Sequence, residues 1–198
     1  MTTRVQENRR LKNALTDRCP RMGMLERGML RNAVFDPGDK VLDANVCSGQ
    51  LSEYMLEHMD CRVCGVSDRM EEVRLTRARM YNGDFVYAAS GDIPWQDQTF
   101  DTVLLHPSDG NADTLQVLLR ECKRVLKPGG QLVLGLRSLP AGLRKLSSFL
   151  FETLPEDELP SAADAKLLLQ QCGFEHITGG FAGLGGSVLI GWKTKENA

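Results

Sequence analysis

Two cysteines three positions apart are the first residues whose spacing suggests chemistry. Cys61 and Cys64, in the segment CRVC, have the spacing of a metal-binding or redox pair. They lie in an apolar, strand-like run, and residues three apart on a strand face opposite sides of a sheet. No second Cys or His pair stands at zinc-finger spacing. We therefore predict no metal site, and we interpret the cysteines, Cys47 included, as buried reduced thiols.

A histidine closes another apolar run. His106 follows the segment FDTVLL (100–105) and precedes a proline. Histidine titrates near neutral pH, so it can remove a proton from an oxygen or nitrogen nucleophile. A histidine at the end of a strand is also often only a hydrogen-bonded structural group. The sequence leaves both interpretations open.

The elements that would position these residues alternate between strands and helices after the turn signal DPGD (36–39). Apolar runs predict strands at 40–46, 61–67, 84–90, 100–107, 130–138, 174–180 and 186–194. Helical spacing predicts helices at 48–59, 69–81, 114–126, around 143–154, and from a cap at Ser161 to Gly173. The pattern predicts an α/β fold, a doubly wound, Rossmann-like and mostly parallel seven-stranded sheet with helices on both faces and an antiparallel C-terminal hairpin.

Length and charge indicate one folded domain of 198 residues, with a helical N-terminal cap (1–35) and an α/β core (36–198). A net charge of −2 disfavours nucleic acid as a partner. The basic N-terminus either closes over a site or forms a solvated helix face. The sequence has neither a run long enough to span a membrane nor the apolar stretch of a secretory signal, which predicts a cytoplasmic protein. A homodimer is possible.

Three segments carry a family resemblance. VLDANVCSGQ (41–50) occupies the first strand-to-helix turn, GDIPWQDQTFDTVLL (91–105) follows, and RECKRVLKPGGQLVLG (120–135) comes last. In order and spacing they resemble the class I S-adenosylmethionine-dependent methyltransferases, in particular the small-molecule branch that includes ubiquinone-biosynthesis enzymes. The resemblance spans residues 40–136.

The resemblance implies that S-adenosylmethionine lies against the first turn, beside Asp43, Ala44, Asn45 and Gly49. Gly49 matches the last glycine of the family's first motif, whereas Asn45 and Cys47 stand at the first two. Asparagine is the non-glycine residue that best tolerates a positive φ. The Cys47 side chain would occupy space beside the amino-acid part of the cofactor.

The resemblance also assigns the remaining cofactor contacts. The family has an acidic residue for the ribose at the end of the second strand, where this chain has Ser67, with Asp68 one residue later. A serine accepts fewer hydrogen bonds than a carboxylate, which would weaken binding by about 1 to 2 kcal/mol. Counted back from Ile93 without a gap, the adenine contact falls on residues 88–90, and with a shortened loop it falls on Asp92. We predict Asp92 and the Ile93 amide. His106 would then point toward the transferred methyl group and act as a base.

The predicted function is methyl transfer to a small-molecule acceptor. The segment LHPSDG (105–110) is not the Asn/Asp-Pro-Pro-Tyr motif of enzymes that methylate nucleobases, which makes nucleic acid an improbable substrate. Because three usual cofactor contacts are altered, a catalytically inactive, methyltransferase-like binding or scaffold subunit is the alternative. A nicotinamide-dependent oxidoreductase fits less well, since Gly-x-Gly-x-x-Gly and an acidic end of the second strand are both missing.

Overall fold

The computed structural model describes residues 22–89, 91–107, 112–137, 161–182 and 186–195. The described helices are α1 (Met24–Asn32), α2 (Gln50–His58), α3 (Met70–Arg79), α4 (Ala112–Val125) and α5 (Ala162–Gln171). The described strands are β1 (Asp39–Asp43), β2 (Cys61–Ser67), β3 (Asp84–Tyr87), β4 (Phe100–Leu105), β5 (Leu126–Leu136), β6 (Glu175–Phe181) and β7 (Ser187–Trp192). The helix predicted around 143–154 lies outside the described residues.

The strands form one seven-stranded sheet in the order β3-β2-β1-β4-β5-β7-β6. The first five strands pair in parallel, and β7 runs antiparallel to both β5 and β6. The predicted mostly parallel sheet with an antiparallel C-terminal hairpin is therefore confirmed. Strand order reverses between β1 and β4, and open α/β sheets bind ligands in the crevice at such a switch point.

Both faces of the sheet are buried. Consecutive residues of a strand point to opposite faces, so two neighbouring buried residues of β1 show that each face is covered. On one face, Val41 packs with residues of α1, α2 and α3. On the other, Leu42 packs with residues of α4 and α5. Val41 and Leu42 are both fully buried. Burying β1 from both sides fixes where its carboxyl end, and the turn that follows, must lie.

The described part of the N-terminal segment packs on the same core. Met29 of α1 is fully buried, and a Cβ added at Gly135 of β5 would lie 2.5 Å from its sulfur. The chain after α1 is held by the Gln131 side chain, whose Oε1 accepts from the Val34 amide at 3.1 Å and whose Nε2 donates to Thr102 Oγ1 at 2.9 Å. Helix α1 is therefore fixed to the sheet over β5 and β7.

The ends of α5 follow the predicted signals. Ser161 Oγ accepts from the Asp164 amide, and Asp164 Oδ2 accepts from the Ser161 amide, which completes a capping box. Gly173, two residues past the helix, has a φ of 77°, as expected of a helix-terminating glycine. In the described ranges, no helix has the length and apolarity needed to cross a membrane.

Candidate functional site

The turn after β1 depends on a glycine that begins the next helix. Gly49 has a φ of 72° and is the N-cap of α2. A Cβ at this position would lie 2.8 Å from Arg79 Nη2 and 3.0 Å from Met80 Cε. Both the left-handed backbone and the close approach of α3 therefore require glycine here.

Asn45 and Cys47 stand at positions where the first motif that the sequence resembles has glycines. The turn does not need glycine at either position, because neither residue has a positive φ. Asn45 Nδ2 donates to the His106 carbonyl at 2.6 Å, which ties the turn to the end of β4. The prediction that the cysteines are buried is wrong for Cys47, which is exposed in this turn, and Cys61 is only half-buried. Cys19 lies outside the described residues. Partial burial of the thiol, with the charge of Asp43, raises the pKa of Cys47 to about 11.

Asp43 lies beneath this turn, where it organises the backbone. Its side chain is only 4% exposed. Its Oδ2 accepts from Ser52 Oγ at 2.7 Å, and the carboxylate also accepts from the Asn45 amide. Burial outweighs these hydrogen bonds and raises the pKa of Asp43 to about 6. Asp43 thus joins β1, the turn and the first turn of α2.

The raised pKa of Asp43 predicts a measurable pH dependence of stability. Between the unfolded-chain pKa near 3.9 and about 6, the folded state holds a proton that the unfolded chain releases. The stabilisation is complete below the unfolded value and disappears as the pH rises past 6. We expect the free energy of unfolding of the wild type to fall by about 2 kcal/mol relative to Asp43→Asn between pH 4 and 7.

Urea unfolding at several pH values measures this difference. Asp60→Asn, at an exposed aspartate, is the matched control, and its free energy of unfolding should change with pH as that of the wild type does. If the free energies of unfolding of the wild type and Asp43→Asn changed equally with pH, Asp43 would not hold a proton in this pH range.

A crevice opens beside the turn, at the carboxyl ends of β1, β2 and β3. Its wall combines small and polar residues from segments far apart in sequence. They are Ala44, Asn45, Val66, Ser67, Asp68, Ala88, Ala89, Gly91, Asp92, Ile93 and Leu118. The crevice has a volume of only about 30 Å³, so a ligand larger than water would lie along its open mouth. The many alanines let a flat ring approach the backbone there.

The structure brings the predicted contacts Ala44, Asn45, Ser67, Asp68 and Asp92 together in this crevice. Their polar atoms are mostly acceptors, which suits the hydroxyl and amino donors of a nucleoside. The residues present therefore fit the nucleoside part of the cofactor that the sequence predicted.

Ile93 behaves differently from the prediction. Its amide donates to the Glu121 carboxylate, and its carbonyl accepts from Arg124 Nη2 at 2.8 Å. The amide is already satisfied, so Ile93 contributes apolar surface to the crevice instead of a hydrogen bond. The hydrogen bonds from Arg124 hold the pKa of Glu121 below its usual range.

Ser67 and Glu72 form a hydrogen-bonded pair at the end of β2. Ser67 is 2% exposed, and its Oγ donates to Glu72 Oε2 at 2.7 Å. The Arg69 amide donates to Ser67 Oγ at 3.1 Å. Glu72 was not among the predicted site residues. Its place five positions after the strand end, in the first turn of a helix, was the signal that sequence reasoning passed over.

His106 follows β4 and lies beside the crevice. It is 8% exposed, and within the described ranges its Nε2 has no hydrogen-bond partner. Burial, together with the positive charge of Arg137, holds the pKa of His106 below its usual value, against a smaller effect of Glu26. The ring is therefore a neutral base at pH 7. Sequence reasoning also missed Arg137, although it directly follows β5 as His106 follows β4.

Comparison with known proteins assigns the central segment. Residues 42–134 match the family model described as a methyltransferase domain. This segment of the chain is therefore similar to methyltransferase domains. It runs from β1 to β5 and includes the whole crevice.

Two relatives are methyltransferases with named acceptors. The 27-O-demethylrifamycin SV methyltransferase of Amycolatopsis mediterranei is 33% identical over 115 residues, which cover 54% of this chain and 42% of the relative. The demethylmenaquinone methyltransferase of Tropheryma whipplei is 28% identical over 164 residues, 71% of this chain and 68% of the relative. The chain thus spans less than half of the first relative and about two thirds of the second.

A solved structure extends the likeness in fold to most of the chain. The Haloferax volcanii methyltransferase in complex with the Trm112 methyltransferase activator superposes with a TM-score of 0.72 and 18% identity, over 93% of this chain and 94% of that one. At this identity the likeness concerns the fold. It includes the antiparallel C-terminal strands, which lie outside the matched family segment.

Proposed function

We propose that the crevice binds S-adenosylmethionine and that the domain transfers its methyl group to a small-molecule acceptor. The observation that carries the proposal is the crevice itself. It lies at the carboxyl ends of β1, β2 and β3, next to the switch point of the sheet, and gathers side chains from the first turn, the end of β2 and the loop after β3. Location in the cytoplasm and pairing into a homodimer stay predictions from the sequence.

The crevice residues divide between the parts of the ligand. Asp92 is exposed at the mouth and would accept from the adenine amino group, with Ile93 packed beneath the ring. Ser67 and Asp68 face the expected position of the ribose. Gly49 and Asn45 shape the turn against which the amino-acid part would lie. Small residues on the wall allow the ligand to approach the backbone closely.

Bound S-adenosylmethionine would supply a methyl group on a sulfonium, ready for direct displacement. The protein then has to align the acceptor, exclude water and take up a proton. His106 offers a buried neutral imidazole at the end of β4 for the proton. Arg137, at the end of the neighbouring strand, would draw an acidic hydroxyl toward that base and favour its anionic form.

We infer that the acceptor is a small molecule with an acidic hydroxyl, such as a phenol or a quinol. A neutral base next to a cation suits this chemistry, since both promote the deprotonated oxygen. The names of the two relatives give a rifamycin and a quinone derivative as acceptors. The net charge of −2 disfavours nucleic acid.

Calorimetric titration with S-adenosylmethionine and S-adenosylhomocysteine tests cofactor binding. We expect micromolar dissociation constants for the wild type. Ala89→Trp should weaken both by about 30-fold or more, because Ala89 is an exposed residue of the crevice wall and a bulky ring there would fill the mouth. Ala163→Trp, at an exposed position on α5, is the matched control and should bind like the wild type.

Absence of heat at millimolar ligand in the wild type would exclude cofactor binding. The remaining candidate would then be a methyltransferase-like binding or scaffold subunit, which the altered residues of the first turn favour. Equal affinity in the wild type and Ala89→Trp would move the cofactor away from this crevice.

A further inference from the structure

The hydroxyl group of Ser67 has little capacity left for a ligand. It donates its one hydrogen to Glu72 Oε2 at 2.7 Å and accepts from the Arg69 amide at 3.1 Å. A serine hydroxyl has one hydrogen and two lone pairs. Ser67 can therefore accept one further hydrogen bond and can donate none. A ribose presents two adjacent hydroxyl donors, so Ser67 alone cannot satisfy both.

Glu72 has the acceptor capacity that Ser67 lacks. Its side chain is 22% exposed, and its Oε1 lies 3.5 Å from Nη1 of Arg69, whose side chain is 70% exposed. A carboxylate offers about four lone-pair sites. The Ser67 hydroxyl uses one of these sites, and the mostly solvated Arg69 makes only a long contact. Position in the first turn of α3 stabilises the negative charge.

Glu72 adjoins the crevice through its hydrogen bond to Ser67, which forms part of the wall with Ala44 and Asn45 of the turn after β1. Its charge also reaches that turn, since burial first, and then the charges of Asp43 and Glu72, raise the pKa of Cys47. A ligand in the crevice would therefore meet Ser67 and Glu72 side by side.

We propose that Ser67 and Glu72 together bind the two hydroxyl groups of the cofactor's ribose, which deepens the proposed function and rests on it. The remaining lone pair of Ser67 accepts from the 3′-hydroxyl, and Glu72 Oε1 accepts from the 2′-hydroxyl. The carboxylate that is missing at the end of β2 is supplied from α3, five positions later. Glu72 is then a binding residue and Asp68 a solvated neighbour.

Calorimetry with S-adenosylhomocysteine and its 2′-deoxyribose analogue tests this assignment. The wild type should prefer the ribose form by about 10-fold, the size of one hydrogen bond to a charged group. Glu72→Gln should lower the affinity for S-adenosylhomocysteine about 10-fold and reduce the preference to within about 2-fold. Glu71→Gln removes the same charge one residue away, on the exposed side of the helix, and should change neither quantity.

A relocation of the carboxylate gives a second readout that a loss of stability would not produce. Ser67→Asp in the Glu72→Gln background should restore affinity to within about 3-fold of the wild type. Ser67→Asp alone places two carboxylates in contact and should not improve binding.

A ribose preference that persists in Glu72→Gln, or one that Asp68→Asn removes, would overturn the assignment of Glu72 while leaving the proposed function intact. A wild type that binds neither ligand would overturn both.

Discussion

Replacement of His106 by alanine is expected to lower the rate of methyl transfer by about 100-fold or more, within the range for loss of a general base. Affinity for S-adenosylhomocysteine should stay within about 2-fold of the wild type, because the imidazole lies beside the crevice wall and not in it. Transfer of labelled methyl from S-adenosylmethionine to 1,4-naphthohydroquinone measures the rate, and calorimetry measures the affinity.

The pH profile separates a base from a structural histidine. Burial and Arg137 hold the pKa of His106 below its ordinary value near 6.5. The rate should therefore rise with pH and level off at a lower pH than an exposed histidine would give. Heteronuclear NMR of the imidazole in the absence of acceptor should show the same lowered pKa.

His58→Ala is the matched control for this prediction. His58 is exposed, lies at the end of α2 and stacks on Tyr54 at a ring distance of 4.6 Å. Its removal should leave the rate unchanged. Retention of most activity in His106→Ala would reduce the catalytic role to alignment of the acceptor, and an unchanged pH profile would exclude His106 as the base.

The fold was largely predictable because each element has a local signal. The apolar run 40–46 and the turn before it locate β1, and the capping serine at 161 locates α5 to the residue. Alternation of such strands and helices leaves a parallel sheet as the main solution. The switch point follows from that topology, which is why residues predicted from separate segments meet in one crevice.

The details of the site were less predictable because they depend on partners distant in sequence. Nothing near Ile93 indicates that its amide bonds to Glu121, 28 positions later. The burial of Asp43 beneath the turn depends on Ser52 and on the exact start of α2. Glu72 reaches Ser67 because only two residues separate the end of β2 from the start of α3. Sequence patterns predict which residues approach the site, whereas side-chain pairing decides which atoms stay available.

Arg124 is the residue whose loss should most destabilise the crevice wall. Its guanidinium makes two hydrogen bonds to Glu121, at 2.9 and 2.7 Å, and others to Ile93 O, Trp95 O and Asp97 Oδ1 at 2.8, 2.9 and 2.7 Å. The hydrogen bonds to Glu121 raise the pKa of Arg124 most, and the one to Asp97 raises it further. One side chain of α4 thus holds residues 93, 95 and 97, which directly follow Asp92 in the connection between β3 and β4.

Arg124→Ala is expected to lower the free energy of unfolding by about 3 kcal/mol, because it removes the charge-assisted hydrogen bonds to Glu121 together with those to the Ile93 and Trp95 carbonyls. The affinity for S-adenosylhomocysteine should fall as well, since Asp92 loses its fixed position. Arg124→Lys keeps the charge but not the planar fork, and should recover less than half of the stability. Arg120→Ala, at an exposed arginine one turn earlier on α4, is the control. Urea unfolding and calorimetry that show similar values for Arg124→Ala and Arg120→Ala would mean that the segment between β3 and β4 is held by its apolar contacts alone, and that the network around Arg124 adds nothing to the site.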